Sequence, residues 1–337
     1  MRTAATALFW GLVLGTAVCW TSFAGPEPQK VLYINSYHQG YAWSDDIEKG
    51  LLKALGITTN PDGSFDTSQS AVDLEIFRMD TKFNTSEDFK QQAALAAKAR
   101  IDEWQPDIVV ASDDNAAKYV IAPYFKDSDI PFVFCGLNGD ASVYGFPESN
   151  VTGMLEVAPY LETIEMLRIY ARGDRIGIIG TRSVSNHKEI THFRKLLPLN
   201  QADIKLVSHF DEWKTEYVKL QDAVDMIIWF SPVGITGWRQ KQAIDFILEH
   251  TTIPTGGAGD HNVAYALLGM VKIAEEQGWW SGKTALRILN GTSPADIPVT
   301  TNKESKIFLN MQLAKRLGIK FPMTLLEKAT FVEEMTP

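Results

Sequence analysis

Six short stretches stand directly after apolar runs, and their side chains suit the capture of a small polar molecule. They are Ser36-Tyr37-His38, Ser112-Asp113-Asp114-Asn115, Gly136-Leu137-Asn138, Gly180-Thr181-Arg182, Ser231-Pro232 and Gly257-Ala258-Gly259. Each is followed by a helical pattern. A helix start offers free N–H groups and a positive dipole end, worth roughly 0.3–1 kcal/mol when exposed, and so favours an anionic group such as a carboxylate. Ser112 and Asn115 are the foremost candidates, with the alternative that Ser112 or Asp113 only caps the next helix. Tyr37, Tyr41 and Trp43 can stack on a planar ligand, on the order of 1 kcal/mol each beyond buried area. Trp43 can equally pack beneath the helix it opens, whose start Ser44 or Asp45 is placed to cap. Arg182 can grip a carboxylate as a two-pronged fork, or stand solvated on its loop.

Catalytic patterns do not assemble. The carboxylate pairs Asp45–Asp46 and Asp113–Asp114 are adjacent, so on a helix they diverge rather than face one substrate. His187 and His192 are five positions apart and do not share a helix face. HExxH, CxxC and GxSxG are absent, Gly177 and Gly180 do not complete GxGxxG, and the run Gly256-Gly257-Ala258-Gly259 follows a late strand. No catalytic residue, cofactor or metal is expected. Of the two cysteines, Cys135 ends an apolar strand and reads as a buried, inert thiol.

The elements that must position these residues follow from a 337-residue chain with 45% hydrophobic and 22% charged residues. That composition is globular, and that length suits two domains. A net charge of -9 excludes the basic face that nucleic-acid binding requires. The N-terminus reads as an export signal: Met1-Arg2, an apolar core from Ala4 to Val18, and small residues before a cleavage point after Ala24. Thr16-Ala17-Val18 before Cys19 is a poor lipidation box.

Strands and helices then alternate. Strands are predicted at Val31–Asn35, Val72–Arg78, Asp107–Ala111 and Pro131–Cys135, separated by helices, with a polar insertion at Thr58–Ser70. The rhythm breaks near Gly153. A second series begins, with strands at Arg175–Ile179, Ile204–His209, Val224–Phe230 and Thr252–Thr255. The remainder reads as a helix over Val263–Gln277, another over Ser281–Leu289, an extended Ala295–Val299, a strand at Lys306–Leu309, a helix at Met311–Leu317 and a short final helix from Leu325 to Ala329.

The C-terminal third carries a more specific pattern: ALLGMVKIAEEQGWWSGKTALRILNGTSPADIPV, then IFLNMQLAKRLGIKFPMTLLEKA. With Gly291, Pro294, Ile297, Pro298, Asn310, Ala314, Leu317, Gly318, Ile319, Pro322, Leu325 and Leu326 in place, the chain resembles the bacterial ABC-transporter substrate-binding proteins of the tryptophan/tyrosine type and related systems. The opening NSYHQGYAWSDDIEKGL is also similar to ligand domains of bacterial sensor proteins. The resemblance implies an α/β, two-lobed type I periplasmic binding protein, each lobe a doubly wound parallel sheet with helices on both faces. Lobe one would comprise 25–152 and about 264–296, lobe two 153–263 and about 300–337, with hinge crossings near 153, 260 and 299. Strand ends of both lobes would line the cleft, making Ser36, Tyr37, His38, Trp43, Ser112, Asp113, Asn115, Gly136, Asn138, Thr181, Arg182, Ser231 and Gly257 the expected ligand contacts. The implied role is a monomeric periplasmic or extracellular protein that delivers a small organic ligand, such as an amino acid or similar carboxylate, to the permease of an ABC importer. The alternative is a sensory protein that signals to a membrane histidine kinase.

Overall fold

The computed structural model describes residues 28–196 and 202–332; the expected export signal and Cys19 lie outside them. The first half builds one sheet. Its strands are β1 (Gln29–Asn35), β4 (Val72–Arg78), β5 (Ile108–Ser112), β6 (Phe132–Asn138) and β7 (Val151–Glu156), and the polar insertion forms a small hairpin of β2 (Thr58–Thr59) and β3 (Phe65–Asp66). The intervening helices are α1 (Ala42–Leu55), α2 (Glu87–Trp104) and α3 (Asp113–Ala116), which runs on through a wider turn into α4 (Ala122–Tyr124). The second series supplies α5 (Tyr160–Arg168), β8 (Ile176–Thr181), α6 (Val184–Leu196), β9 (Asp203–Val207), α7 (Phe210–Ala223), β10 (Met226–Trp229), α8 (Gln240–His250) and β11 (Thr255–Gly257). The chain closes with β12 (Leu268–Lys272), α9 (Ala274–Leu289), β13 (Thr300–Thr301), β14 (Ser305–Leu309), α10 (Met311–Leu317), α11 (Met323–Leu326) and β15 (Ala329–Phe331).

The strand orders are β13-β7-β6-β5-β1-β4 and β15-β14-β12-β11-β10-β8-β9. Pairing is parallel throughout both sheets except between β12 and β14. In each sheet the first strand lies second from one edge, so the winding reverses beside it: between β1 and β5 in one lobe, between β8 and β10 in the other. Ligand crevices form outside the carboxyl ends of strands at such reversals.

Side chains alternate across β1 as the strand period requires. Leu32 and Ile34 join a core with Ala94, Ala97 and Ile101 of α2, whereas Val31 and Tyr33 join Ile47 and Leu51 of α1 and Ala285 and Ile288 of α9 on the opposite face. Helix α9 therefore belongs to the first lobe although it follows most of the second. Glycines let it sit against α1: a Cβ on Gly50 would lie 2.0 Å from the Glu275 carbonyl oxygen, and one on Gly278 1.8 Å from that of Ile47. The second lobe is centred on an aromatic stack in which Trp213 lies 5.3 Å from Trp229 and 5.1 Å from Tyr217.

Several expectations are corrected. Residues 263–277 are not one helix. A short turn at Val263–Tyr265 leads into β12, and α9 begins at Ala274. Leu267 and Leu268 are fully buried, and β12 is hydrogen-bonded on both sides, so sheet pairing overrides the helical spacing. The final segment is α11 followed by β15, not a helix to Ala329. Helix α1 starts at Ala42 with Tyr41 in the capping position; Asp45 reaches back to accept from the Gly40 N–H at 3.1 and 3.0 Å. The chain changes sheets after Glu156, after Lys272 and between Thr301 and Ser305. Gly153 lies inside β7, where a Cβ would meet the Phe134 ring at 2.3 Å; it is small for packing and not for bending.

Candidate ligand cleft

The reversal point of the first sheet is built by a hydroxyl network. Ser36 is fully buried, donates to the Ser112 carbonyl at 2.5 Å and accepts from the Ala116 N–H at 2.8 Å. Ser112 Oγ shares a hydrogen bond with the Tyr33 hydroxyl at 3.0 Å; although it occupies the capping position of α3, its side chain does not cap. Asn115 donates to Thr81 Oγ1 at 2.7 Å, and Thr81 donates to the Ser36 carbonyl at 2.5 Å. Ser36, Ser112 and Asn115 thus hold the loops together through these bonds.

Asp113 is different. It begins α3 at φ +68°, a left-handed conformation that Asp tolerates better than most residues but still at a cost. Gly136, itself at φ +69° where β6 slips register against β7, brings its backbone up to Asp113. A Cβ there would lie 3.1 Å from Asp113 Oδ1, which is why glycine occupies the position. Asp113 is 3% exposed; Oδ1 accepts from the Trp43 indole N–H at 3.0 Å, and Oδ2 is buried with no hydrogen-bond partner. Burial pushes its carboxyl well above the usual carboxylate range, and the Glu156 carboxylate adds to this, while the hydrogen bond from Trp43 opposes it.

Around Asp113 stand aromatic and charged groups that the sequence reading passed over. Glu156, at the end of β7, is ion-paired with Lys272, at the end of β12. The Lys272 ammonium lies 5.2 Å from the Trp43 ring centre, a cation–π contact. Burial raises Glu156 above its ordinary range despite Lys272. Glu189 of α6 faces the same lysine from the second lobe; burial raises it, and the Tyr160 hydroxyl and Lys272 offset part of the rise. Tyr160 in turn packs 4.8 Å from Phe230, just beyond β10, so the reversal point of the second sheet borders this cluster. Lys82 lies 4.7 Å from each of the Tyr37 and Tyr41 rings.

The remaining expected contacts fall into place differently. Asn138 donates to Asp114 at 2.7 Å, beside the Tyr144 hydroxyl at 2.8 Å. Tyr37 is half-buried, its hydroxyl pushed up chiefly by burial and by Asp113. His38 stacks on the exposed Phe83 with ring centres 3.6 Å apart. Gly136 donates its N–H to Gln277 Oε1 at 3.0 Å. In the second lobe Thr181 and Ser231 are tied by the amide of Asn186, which donates to both their carbonyls at 2.9 and 3.0 Å. Gly257 makes room for Asn262, whose Oδ1 would lie 2.5 Å from a Cβ. Arg182 turns to the Leu206 carbonyl at 2.7 Å and toward Glu212 at 3.7 Å, so the expected fork is committed within its own lobe. Lys272 was hidden because its segment reads as helix, and Glu156 because the strand containing it coincides with the break in rhythm.

Among the described residues, no group of three or more histidine, cysteine or acidic side chains is placed to hold a metal ion, and no helix is long and apolar enough to cross a membrane. Two sheets of like winding, with their reversal points bordering one charged and aromatic cluster, define a bilobal ligand-binding protein. Residues 65–333 match the family of ABC transporter substrate binding proteins, and the chain belongs to that family, whose members bind substrates rather than transform them. It is 23% identical over 286 residues to a tyrosine-binding protein of Clostridioides difficile, covering 82% of this chain and 77% of that one. The ligand-free, open form of a substrate-binding protein with adhesive properties from Clostridium difficile superposes with a TM-score of 0.68 at 20% identity, over 90% of this chain and 98% of the other. An ABC domain from Streptococcus pneumonia in complex with L-Trp gives 0.53 at 20% identity, over 90% and 99%.

Proposed function

We propose that this protein works outside the cytoplasm, capturing an amino acid with an aromatic side chain between its lobes and delivering it to an ABC importer. The observation that carries the reading is the buried, unpartnered Oδ2 of Asp113 beside Trp43 and Tyr37. A buried acceptor without a donor costs about 1–3 kcal/mol. A ligand ammonium supplies the missing donor, and the aromatic walls suit a flat side chain. The tyrosine-binding and tryptophan-bound relatives point the same way.

Closure would bend the three segments between the sheets. These are tied side by side: Asn302 accepts from the Val157 N–H at 2.7 Å and donates to its carbonyl at 3.1 Å, and Glu276 accepts from the Lys303 and Glu304 N–H groups at 2.8 and 2.9 Å. Titration calorimetry with the common amino acids tests the function. Saturable binding of tyrosine or tryptophan, with a melting shift of about 2.7 kcal/mol equivalent at a hundredfold excess over Kd, is expected. Absence of binding by every aromatic amino acid refutes it.

A further inference from the structure

An amino acid brings two charges into a cleft, and the cleft must receive both. The acidic side is abundant. Asp113 lies within electrostatic reach of Asp114 and Glu156, and Glu156 and Glu189 share Lys272; Asp114 is met by Asn138 and Tyr144, Glu156 by Lys272 and Glu189 by Tyr160, which leaves Asp113 Oδ2 without a donor. The basic side is committed. Lys272 is held by Glu156 and the Trp43 ring, Lys82 by the Tyr37 and Tyr41 rings, and Arg182 by its own lobe. At the start of α6, Asn186 Oδ1 is buried without a donor, one more acceptor waiting for a hydrogen. The unpartnered side-chain donors at the ends of β1 and β4 are Asn35 Nδ2, which is neutral, and Arg78 Nε, whose guanidinium is already ion-paired with Glu48.

We infer that the cleft recognises its ligand through the amine and does not require the carboxylate, so its substrate class is the aromatic amines, of which the aromatic amino acids are the carboxylated members. This rests on the proposed function above and narrows it. A ligand carboxylate would enter a space where carboxylates outnumber lysines, and to gain a cation it would have to draw Lys272 from its ion pair or Lys82 from its ring contacts. A bare ammonium meets Asp113 Oδ2 with no ion pair or hydrogen bond to displace.

Calorimetry on a matched series separates the two charges: L-tyrosine, tyramine and 3-(4-hydroxyphenyl)propionate, with the corresponding indole set. The amine is expected to bind within tenfold of the amino acid or more tightly, and the acid at least 100-fold more weakly than the amine. Binding of the amino acid with the amine at least 100-fold weaker overturns the inference while leaving the proposed function intact. Binding by no member of the series overturns both. Asp113→Asn, which keeps a residue tolerant of positive φ, is expected to weaken the amine at least 30-fold, with folding confirmed by circular dichroism. Lys82→Gln is expected to shift the amine and the amino acid by the same factor, within threefold; a loss above 30-fold confined to the carboxylated ligands would show that the carboxylate is read after all.

Discussion

At the scale of single residues, Asp113 couples stability to occupancy. Its carboxyl titrates well above the ordinary range because of burial and Glu156. The folded chain then retains a proton that the unfolded chain releases. The contribution of this carboxyl to stability is fully present below the unfolded carboxylate range, near pH 4, and is lost as pH rises through the raised folded value. The groups facing Asp113 are Glu156 at the end of β7, Asp114 on its own helix, Tyr37 after β1, Tyr33 within β1 and Cys135 in β6, while Lys272 and Lys82 act on it through Glu156. In the ligand-free protein, Asp113→Asn is expected to raise the neutral-pH melting temperature by roughly 2 °C and to flatten its fall with pH, as scanning calorimetry at several pH values would show. An ammonium ligand needs the ionised form, so affinity should rise with pH across the same window and then level off. A flat profile would remove Asp113 from the binding reaction. The sequence marks Asp113 by its place after a strand, but at that level it reads as one more helix start. Its left-handed backbone and the close approach of Gly136 arise only when β5 and β6 lie side by side.

At the scale of elements, two contacts carry clear consequences. The Lys272–Glu156 pair joins the end of a second-lobe strand to the end of a first-lobe strand, with the glutamate side chain 9% and the lysine 24% exposed. Lys272→Met strands a buried carboxylate and is expected to cost about 3 kcal/mol in urea unfolding, with Glu156→Gln added in the same chain recovering most of it. Between α1 and α9, Gly278→Ala would push a methyl into the Ile47 carbonyl 1.8 Å away. A cost of about 3 kcal/mol is expected, because neither helix can retreat without opening the core they share. The sequence discloses elements where local and tertiary preferences agree. Helix α2 begins at its Ser86 cap, whose side chain accepts from the Phe89 N–H at 3.3 Å, and α10 ends at Gly318 in the left-handed conformation, as the residues foretell. It misleads where they compete: LLGMVKIAEEQ has helical spacing throughout, and only the neighbours β11 and β14 draw its first half into a sheet. Lys272 was lost to the candidate site with that segment.

At the scale of the whole molecule, the expectation of two α/β lobes with helices on both faces holds. The repeated order, with the first strand second from an edge, is what places both reversal points toward one cleft. Small-angle scattering is expected to show a smaller radius of gyration with ligand than without. An unchanged radius at saturation would mean that binding does not close the lobes.

The position of α9 also bears on how the molecule is made. The core beneath α1 includes Ala274, Ala285, Ile288 and Ile297, all from the last quarter of the chain. The lobe that starts first is therefore completed late, by a segment that arrives after most of the other lobe has been synthesised. Such long-range closure slows folding. A nascent chain that has not reached Ala274 leaves the apolar face of α1 uncovered, a handle for chaperones that hold chains unfolded. A chain ending at Lys272 is expected to bind hydrophobic dyes and to lose cooperative melting of its first lobe, while the full chain melts with α1 and α9 as one unit.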